Sequence, residues 1–122
     1  MTWDLQSDRP IYTQLIEQIE LKICSGGYPL GSKLPSVRDL AKEASVNPNT
    51  MQRALAKLEE DGLLYSNRTS GRFVTEDKSM VKKIKTKMAQ DHIQHFLSKM
   101  SELGFEHEEV LEILSTMSKE GE

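Results

Sequence analysis

The chain has a single cysteine, Cys24, so no disulfide can form within it, and a cytoplasmic setting follows. No apolar run approaches the roughly 18 residues that a membrane-spanning helix needs. The first residues, Met1-Thr2-Trp3-Asp4-Leu5, carry an acid and no basic stretch ahead of an apolar one, so no secretory signal is expected. Repeats and low-complexity segments are absent. So are the common marks of an enzyme: there is no phosphate-cradling glycine motif, no convincing metal set, and no serine or cysteine nucleophile in a recognisable local motif. The expectation is a protein that is not an enzyme and carries no cofactor.

An excess of positive charge is also missing. The net charge is −3, which argues against a non-specific nucleic-acid coat. Its distribution is uneven. Residues 1–75 hold nine acids and nine bases, while residues 76–122 hold ten acids and seven bases and so carry the whole excess. A specific reader of DNA stays open, because affinity depends on the local field where phosphates sit.

What is present is a sequence of capped segments. Pro10 suits a first helical turn, and Ile11, Leu15, Ile16, Ile19 and Ile23 recur at helical spacing up to Gly26-Gly27. Pro29, Gly31 and Pro35 mark an irregular connector. Ser36 predicts an N-cap, with Asp39 three residues on, and Val37, Leu40, Ala41 and Ala44 form a short apolar stripe. Ser45-Val46 reads as a turn. Asn47 is the next N-cap, Pro48 the first helical residue, and Met51, Ala54, Leu55 and Leu58 the inner face of a third helix that Gly62 stops. Leu63-Leu64-Tyr65 and Arg72-Phe73-Val74 read as two strands around the turn Asn67-Arg68-Thr69-Ser70-Gly71. Three helices and a hairpin make the order of a winged helix-turn-helix, so the expected fold is mainly α with a small β-hairpin.

That order supplies what the major groove asks for. A reading helix needs a buried face that fixes its angle and an outer face of polar and cationic side chains. Asn49, Thr50, Gln52, Arg53 and Lys57 lie off the apolar stripe of the third helix. Asparagine and glutamine can pair with adenine through two bonds, and arginine with guanine. Ser36 and Arg38 open the preceding helix, where phosphate contacts fix register. Arg68 and Arg72 flank Ser70 and Gly71 at the hairpin tip, a cationic point able to enter a minor groove. Taken singly, each feature has a plain reading: a solvated outer face, hairpin charges, or an arginine paired with a nearby acid. Their joint order favours DNA.

These segments resemble the GntR family of bacterial transcription regulators, and within it the YtrA-like subfamily. The resemblance rests on Pro10-Ile11-Tyr12-Thr13-Gln14-Leu15 and on the stretch from Gly31 to Ala41. It continues through Val46-Asn47-Pro48-Asn49-Thr50-Met51-Gln52-Arg53-Ala54-Leu55, Leu58-Glu59-Glu60-Asp61-Gly62-Leu63 and Gly71-Arg72-Phe73-Val74. It implies a dimeric repressor on a near-palindromic operator of double-stranded DNA. The implied contacts come from Ser36, Arg38, Asn47, Asn49, Thr50, Gln52, Arg53, Ser70, Gly71 and Arg72. Other branches of the family carry arginine where this chain has Pro48 or Gln52, so their base preference does not transfer. The wing is also less glycine-rich than the common form.

The remaining residues divide the chain into a winged domain over 1–76 and a two-helix region over 77–122. Val81, Ile84, Met88, Ile93, Phe96, Met100 and Leu103 predict one long helix, broken at Gly104. Glu106, Glu108 and Glu109 open a last helix with the apolar face Val110, Leu111, Leu114 and Met117, and Gly121 and Glu122 are expected to fray. Two such helices cannot bury their faces alone, so residues 80–118 are expected to form a homodimer interface. Packing against the chain's own winged domain is the alternative. A small-molecule effector could sit between the tails, where Met88 and Met100 would adapt to it. His92, His95 and His107 read as interfacial or exposed histidines before a metal site, and Cys24 as a packed thiol. The main competing function is a winged helix that binds protein instead of DNA.

Overall fold

The computed structural model describes residues 3–120, so the expected fraying of Gly121 and Glu122 lies outside the described residues, as do Met1 and Thr2. Its elements in order are α1 (Ile11–Cys24), α2 (Val37–Ala44), α3 (Pro48–Glu60), β1 (Leu64–Asn67), β2 (Gly71–Val74), α4 (Lys78–Glu102) and α5 (His107–Glu120). The chain forms two compact units, the first ending at Lys85 and the second beginning at Thr86. The winged helix-turn-helix expected from the sequence is the architecture of the first unit.

Its core is built by the apolar stripes of three helices. Leu15, Ile19 and Ile23 of α1 meet Leu40 and Ala41 of α2 and Met51, Ala54, Leu55 and Leu58 of α3, with Leu63, Leu64 and Val74 closing the side next to the hairpin. All of these are buried. Val37, of the predicted α2 stripe, is only partly buried. The hairpin is antiparallel, with Leu64 opposite Val74 and Tyr65 opposite Phe73, whose rings stack on the outer face. The connector before α2 is less irregular than its prolines and glycine predict. Gly31 N–H donates to Val74 O, Val74 N–H to Ser32 O and Leu34 N–H to Arg72 O, so residues 31–34 run alongside β2 as a further edge.

Two turns fix the order of the helices. Ser45 takes a left-handed backbone (φ 57°) to end α2, a conformation that is uncommon for a residue with a Cβ. Gly62 ends α3 at φ 86°, and a Cβ there would come within 2.9 Å of Met80 Cε. Met80, with Val81 and Ile84, packs against the winged core. Met80 was not part of the predicted stripe, and the compact winged unit therefore includes the first two turns of α4. The start of that helix is capped by Asp77, whose Oδ1 accepts from Ser79 N–H and Oγ–H and from Met80 N–H.

The segment before α1 is tied down by one buried side chain. Gln14 Oε1 accepts from Gln6 N–H at 2.6 Å, and its Nε2 donates to Gln6 O at 2.7 Å and to Arg9 O at 2.9 Å. In the last turn of α1, the Lys22 ammonium lies 3.6 Å from the Trp3 ring centre and 5.5 Å from that of Tyr28, and burial pushes its pKa down. Gln14→Leu is expected to cost about 1–3 kcal/mol, because it strips the partners from several half-buried backbone groups. The loss should appear in urea unfolding, with a shift in Trp3 fluorescence as the segment comes away. An unchanged midpoint would mean that the Trp3–Lys22 contact and the Arg9–Glu17 ion pair hold it without Gln14.

In the second unit the long helix, the break at Gly104 (φ 96°) and the last helix all form where the spacing places them. Of the predicted stripes only Val110 is buried, while Met88 and Met100 are half-buried. Leu97, outside the predicted stripe, is half-buried too. Ile93, Phe96, Leu103, Leu111, Leu114 and Met117 are exposed.

Candidate nucleic-acid interface

Both predicted N-caps form, and each uses its side-chain oxygen as the acceptor. Ser36 Oγ accepts from Asp39 N–H at 3.1 Å, and Asn47 Oδ1 accepts from Asn49 N–H at 2.8 Å. Each residue keeps a donor, the Ser36 hydroxyl hydrogen and the Asn47 amide NH2. Donors at helix starts are what phosphate oxygens take up. Both residues are exposed, as are Arg38, Asn49, Gln52 and Arg53, while Thr50 is half-buried.

On the outer face of α3 the two cations are held in different ways. The Arg53 guanidinium lies over the Tyr12 ring of α1, 4.6 Å from its centre, a stack that limits its rotamers without using its hydrogen-bond donors. Lys57 Nζ pairs with Asp61 at 3.2 Å, and that carboxylate pushes the lysine pKa up. Lys57, part of the predicted outer face, is thus turned toward the C-terminal end of the helix.

At the hairpin tip, Asn67 Oδ1 accepts from Thr69 N–H and forms the turn, with Arg68 exposed on it. Gly71 closes the turn at φ 103°, and a Cβ there would meet Lys33 Cε at 3.2 Å. Arg72 points back to α3 instead of away from the protein. Its Nε donates to Glu59 Oε1 at 3.1 Å and its Nη1 to Gln52 Oε1 at 3.3 Å. The Glu59 carboxylate also accepts the Ser66 hydroxyl. That hydroxyl, together with Arg72, holds the Glu59 pKa below the usual carboxylate range against an opposing effect of burial.

These placements sort the ten predicted site residues. An open groove of about 720 Å³ between the wing and the start of α2 gathers Ser36, Ser70, Gly71 and Arg72 with Lys33 and Arg68. Gln52 joins this group through Arg72. Asn47 and Thr50 line a second hollow, of about 450 Å³, with Leu5, Ile11 and Val46. Arg53 lies on Tyr12, and Arg38 and Asn49 are exposed without lining either hollow. Lys33 and Glu59 were missed from sequence. Lys33 sits in a connector with no periodicity, and only its pairing with Phe73 brings it to the wing. Glu59 is one of three consecutive acids at the end of α3, and nothing in the sequence singles it out.

The groove is lined by three cations and one acid, Asp39, the helix beside it has an exposed polar face, and among the described residues no group of three or more His, Cys, Asp or Glu could hold a metal ion. No helix among them is long and apolar enough to cross a membrane. Comparison with known proteins agrees with this geometry. The family of bacterial regulatory proteins called gntR matches residues 11–74. The HTH-type transcriptional regulator YhcF of Bacillus subtilis is 37% identical over 116 residues, 95% of this chain and 96% of its own. The HTH-type transcriptional repressor YtrA of the same organism is 32% identical over 94% of this chain and 89% of its own. A GntR family transcriptional regulator from Listeria monocytogenes has a similar structure, with a TM-score of 0.84 at 38% identity over 92% of this chain and 98% of that one. The AraR DNA-binding domain in complex with operator ORE1 matches with a TM-score of 0.53 at 31% identity, over 62% of this chain and 94% of that one. These relatives are regulators, not enzymes. The chain belongs to the GntR family, in its YtrA-like branch, and is a DNA-binding transcription regulator.

Proposed function

We propose that the chain is a cytoplasmic repressor that binds a near-palindromic operator as a homodimer and blocks transcription by occupying promoter DNA. The observation that carries this reading is the groove beside the exposed face of α3, lined by Lys33, Arg68 and Arg72 against one acid, Asp39. In this reading α3 enters the major groove with Asn49, Thr50, Gln52 and Arg53 toward the base edges. Ser36, Arg38 and Asn47 hold the phosphates, and Ser70, Gly71 and Arg72 bring the wing to the backbone or minor groove. DNA binding falls to residues 1–76 and dimerisation to residues 77–122. The exposed apolar side chains of α4 and α5 support the second assignment, since a soluble monomer gains nothing by exposing so many. A small effector bound at those apolar faces would act by changing how two copies meet. YtrA, a repressor by name, and AraR, seen on an operator, support the same reading.

Fluorescence anisotropy tests it, with DNA from upstream of the protein's own gene against a shuffled duplex at two salt concentrations. The expected result is tight binding to the native duplex alone, weakening steeply with salt as phosphate neutralisation releases counterions. Equal, salt-insensitive binding to both duplexes would favour a winged helix that docks on protein.

A further inference from the structure

Lys33 is a cation that no periodicity places, yet the fold gives it a fixed root. The residues on either side of it bond to β2. Ser32 O accepts from Val74 N–H and Leu34 N–H donates to Arg72 O, each at 2.9 Å. Lys33 is thereby paired with Phe73. Side chains alternate along a strand, so Leu34 turns into the core, where it is buried, and Lys33 shares the face of Phe73. Gly71 lies two residues from Phe73 on that face, as the diagonal neighbour of Lys33. It carries no side chain, and the lysine stem passes close over it: a Cβ at Gly71 would meet Lys33 Cε at 3.2 Å and Nζ at 4.0 Å. The stem therefore runs along the wing toward its tip, and the exposed side chain lines the groove between the wing and the start of α2.

The state of this ammonium sets it apart from its neighbours. Arg72, in the same groove, is bonded to Glu59 and Gln52, and Lys57 on α3 is paired with Asp61. Among the described residues no hydrogen bond or ion pair holds Lys33, and Asp39, the acid that lines the groove with it, forms no ion pair with it. An exposed ammonium without a partner exchanges water for an anion and breaks no internal bond in doing so. The wall at α2 adds a second donor. Ser36 Oγ accepts from Asp39 N–H, which leaves its hydroxyl hydrogen to donate into the groove that it lines. The root of Lys33 is on the connector and not on α3, so with α3 in the major groove its charge faces the sugar–phosphate backbone before the base edges.

We propose that Lys33 is a phosphate-binding residue of the DNA interface, its ammonium and the Ser36 hydroxyl taking one backbone phosphate in the groove between the wing and the start of α2. The inference rests on the reading of α3 as the recognition helix, and it adds a cation to the contacts that the family resemblance implies.

Anisotropy titrations over a range of salt test it with the full chain, on the native upstream duplex and on the shuffled one. The slope of log K against log salt counts neutralised phosphates, at about 0.9 for each. Lys33→Gln should lower the slope by about 0.9 for every winged unit bound, on the shuffled duplex as well as the native one, because a phosphate carries no sequence. Lys33→Arg keeps the charge and should keep the slope. Lys42→Gln removes the same charge from the last turn of α2, outside the groove, and should leave the slope as it is. A methylphosphonate scan, which neutralises the phosphates of the native duplex one at a time, then locates the contact. One substitution in each half-site should weaken wild type and leave Lys33→Gln unaffected. A slope that Lys33→Gln does not change overturns the proposal. So does an equal fall with Lys42→Gln, which would report net charge alone, and so does a scan in which wild type and Lys33→Gln respond alike at every phosphate. Wild-type binding without salt dependence on either duplex would overturn the reading of α3 and the groove as the DNA surface, a result distinct from a steep wild-type slope to which Lys33 adds nothing.

Discussion

Arg53→Ala is expected to lower operator affinity by at least about thirtyfold while leaving the fold and the oligomeric state unchanged. The side chain is exposed, so its removal opens no cavity in the core. A bidentate arginine–guanine contact contributes about 1–3 kcal/mol of discrimination, and a two-fold complex makes it twice, giving about 2–6 kcal/mol. Tyr12 sharpens the expectation. Its ring lies under the guanidinium and restrains it before DNA arrives, so that less freedom is lost on binding. Tyr12→Leu should therefore also weaken the operator, by a smaller margin of about 0.5–1 kcal/mol per half-site, the worth of an exposed cation–π contact. Arg53→Lys separates two roles for the same charge. Lysine serves a phosphate as a point charge but lacks the planar fork and the stack on Tyr12, so it should rescue a base-reading Arg53 only in part and a phosphate-binding one nearly in full. Anisotropy titrations on the native and shuffled duplexes measure all three variants. If Arg53→Ala binds normally, the arginine is only a surface stack on Tyr12.

How far the sequence carried depended on whether a signal was local. The caps at Ser36 and Asn47, the stop at Gly62 and the buried face of α3 all depend on residues within a few positions of one another. Each appears where the spacing places it. Ser45 illustrates a conflict between propensity and context. Nothing about a serine predicts a left-handed backbone, but Val46 N–H closing on Ala41 O requires one at that point in the turn. The long-range features were not legible. Lys33 reaches the wing only through a backbone pairing with β2, and Met80 reaches the core from the next helix, with its side chain against Gly62. Arg72 was expected as a free cation at the hairpin tip, whereas it is committed to a carboxylate 13 residues earlier in the chain. In the site, the sequence names candidate contact residues, and the structure shows which of their side chains are already engaged within the protein.

The second unit gives the prediction with the largest effect. Leu111 and Leu114 are one turn apart on α5 and are 66% and 46% exposed, so glutamate at both positions should cost the isolated chain little stability. In a homodimer built on this face the same change would bury charges without partners, at several kcal/mol for each, and each substitution is present twice by symmetry. Leu111→Glu/Leu114→Glu is therefore expected to sediment as a monomer at concentrations where wild type is dimeric, with an unchanged helical circular dichroism signal. Operator binding should fall with it. A dimer on two half-sites at roughly 10⁻⁸–10⁻¹¹ M would be replaced by single winged units binding at roughly the 10⁻⁴–10⁻⁶ M of non-specific contacts. Joining two copies of the variant through a flexible linker should then recover part of the affinity, because the second unit binds at a raised effective concentration whether or not the helices pair. A double variant that stays dimeric would move the interface to another apolar surface, of which Leu21 and Leu30 on the winged unit, 46% and 37% exposed, are candidates. A monomeric variant that keeps full operator affinity would instead show that one winged unit is enough, and the two-fold operator would have to be given up with the dimer.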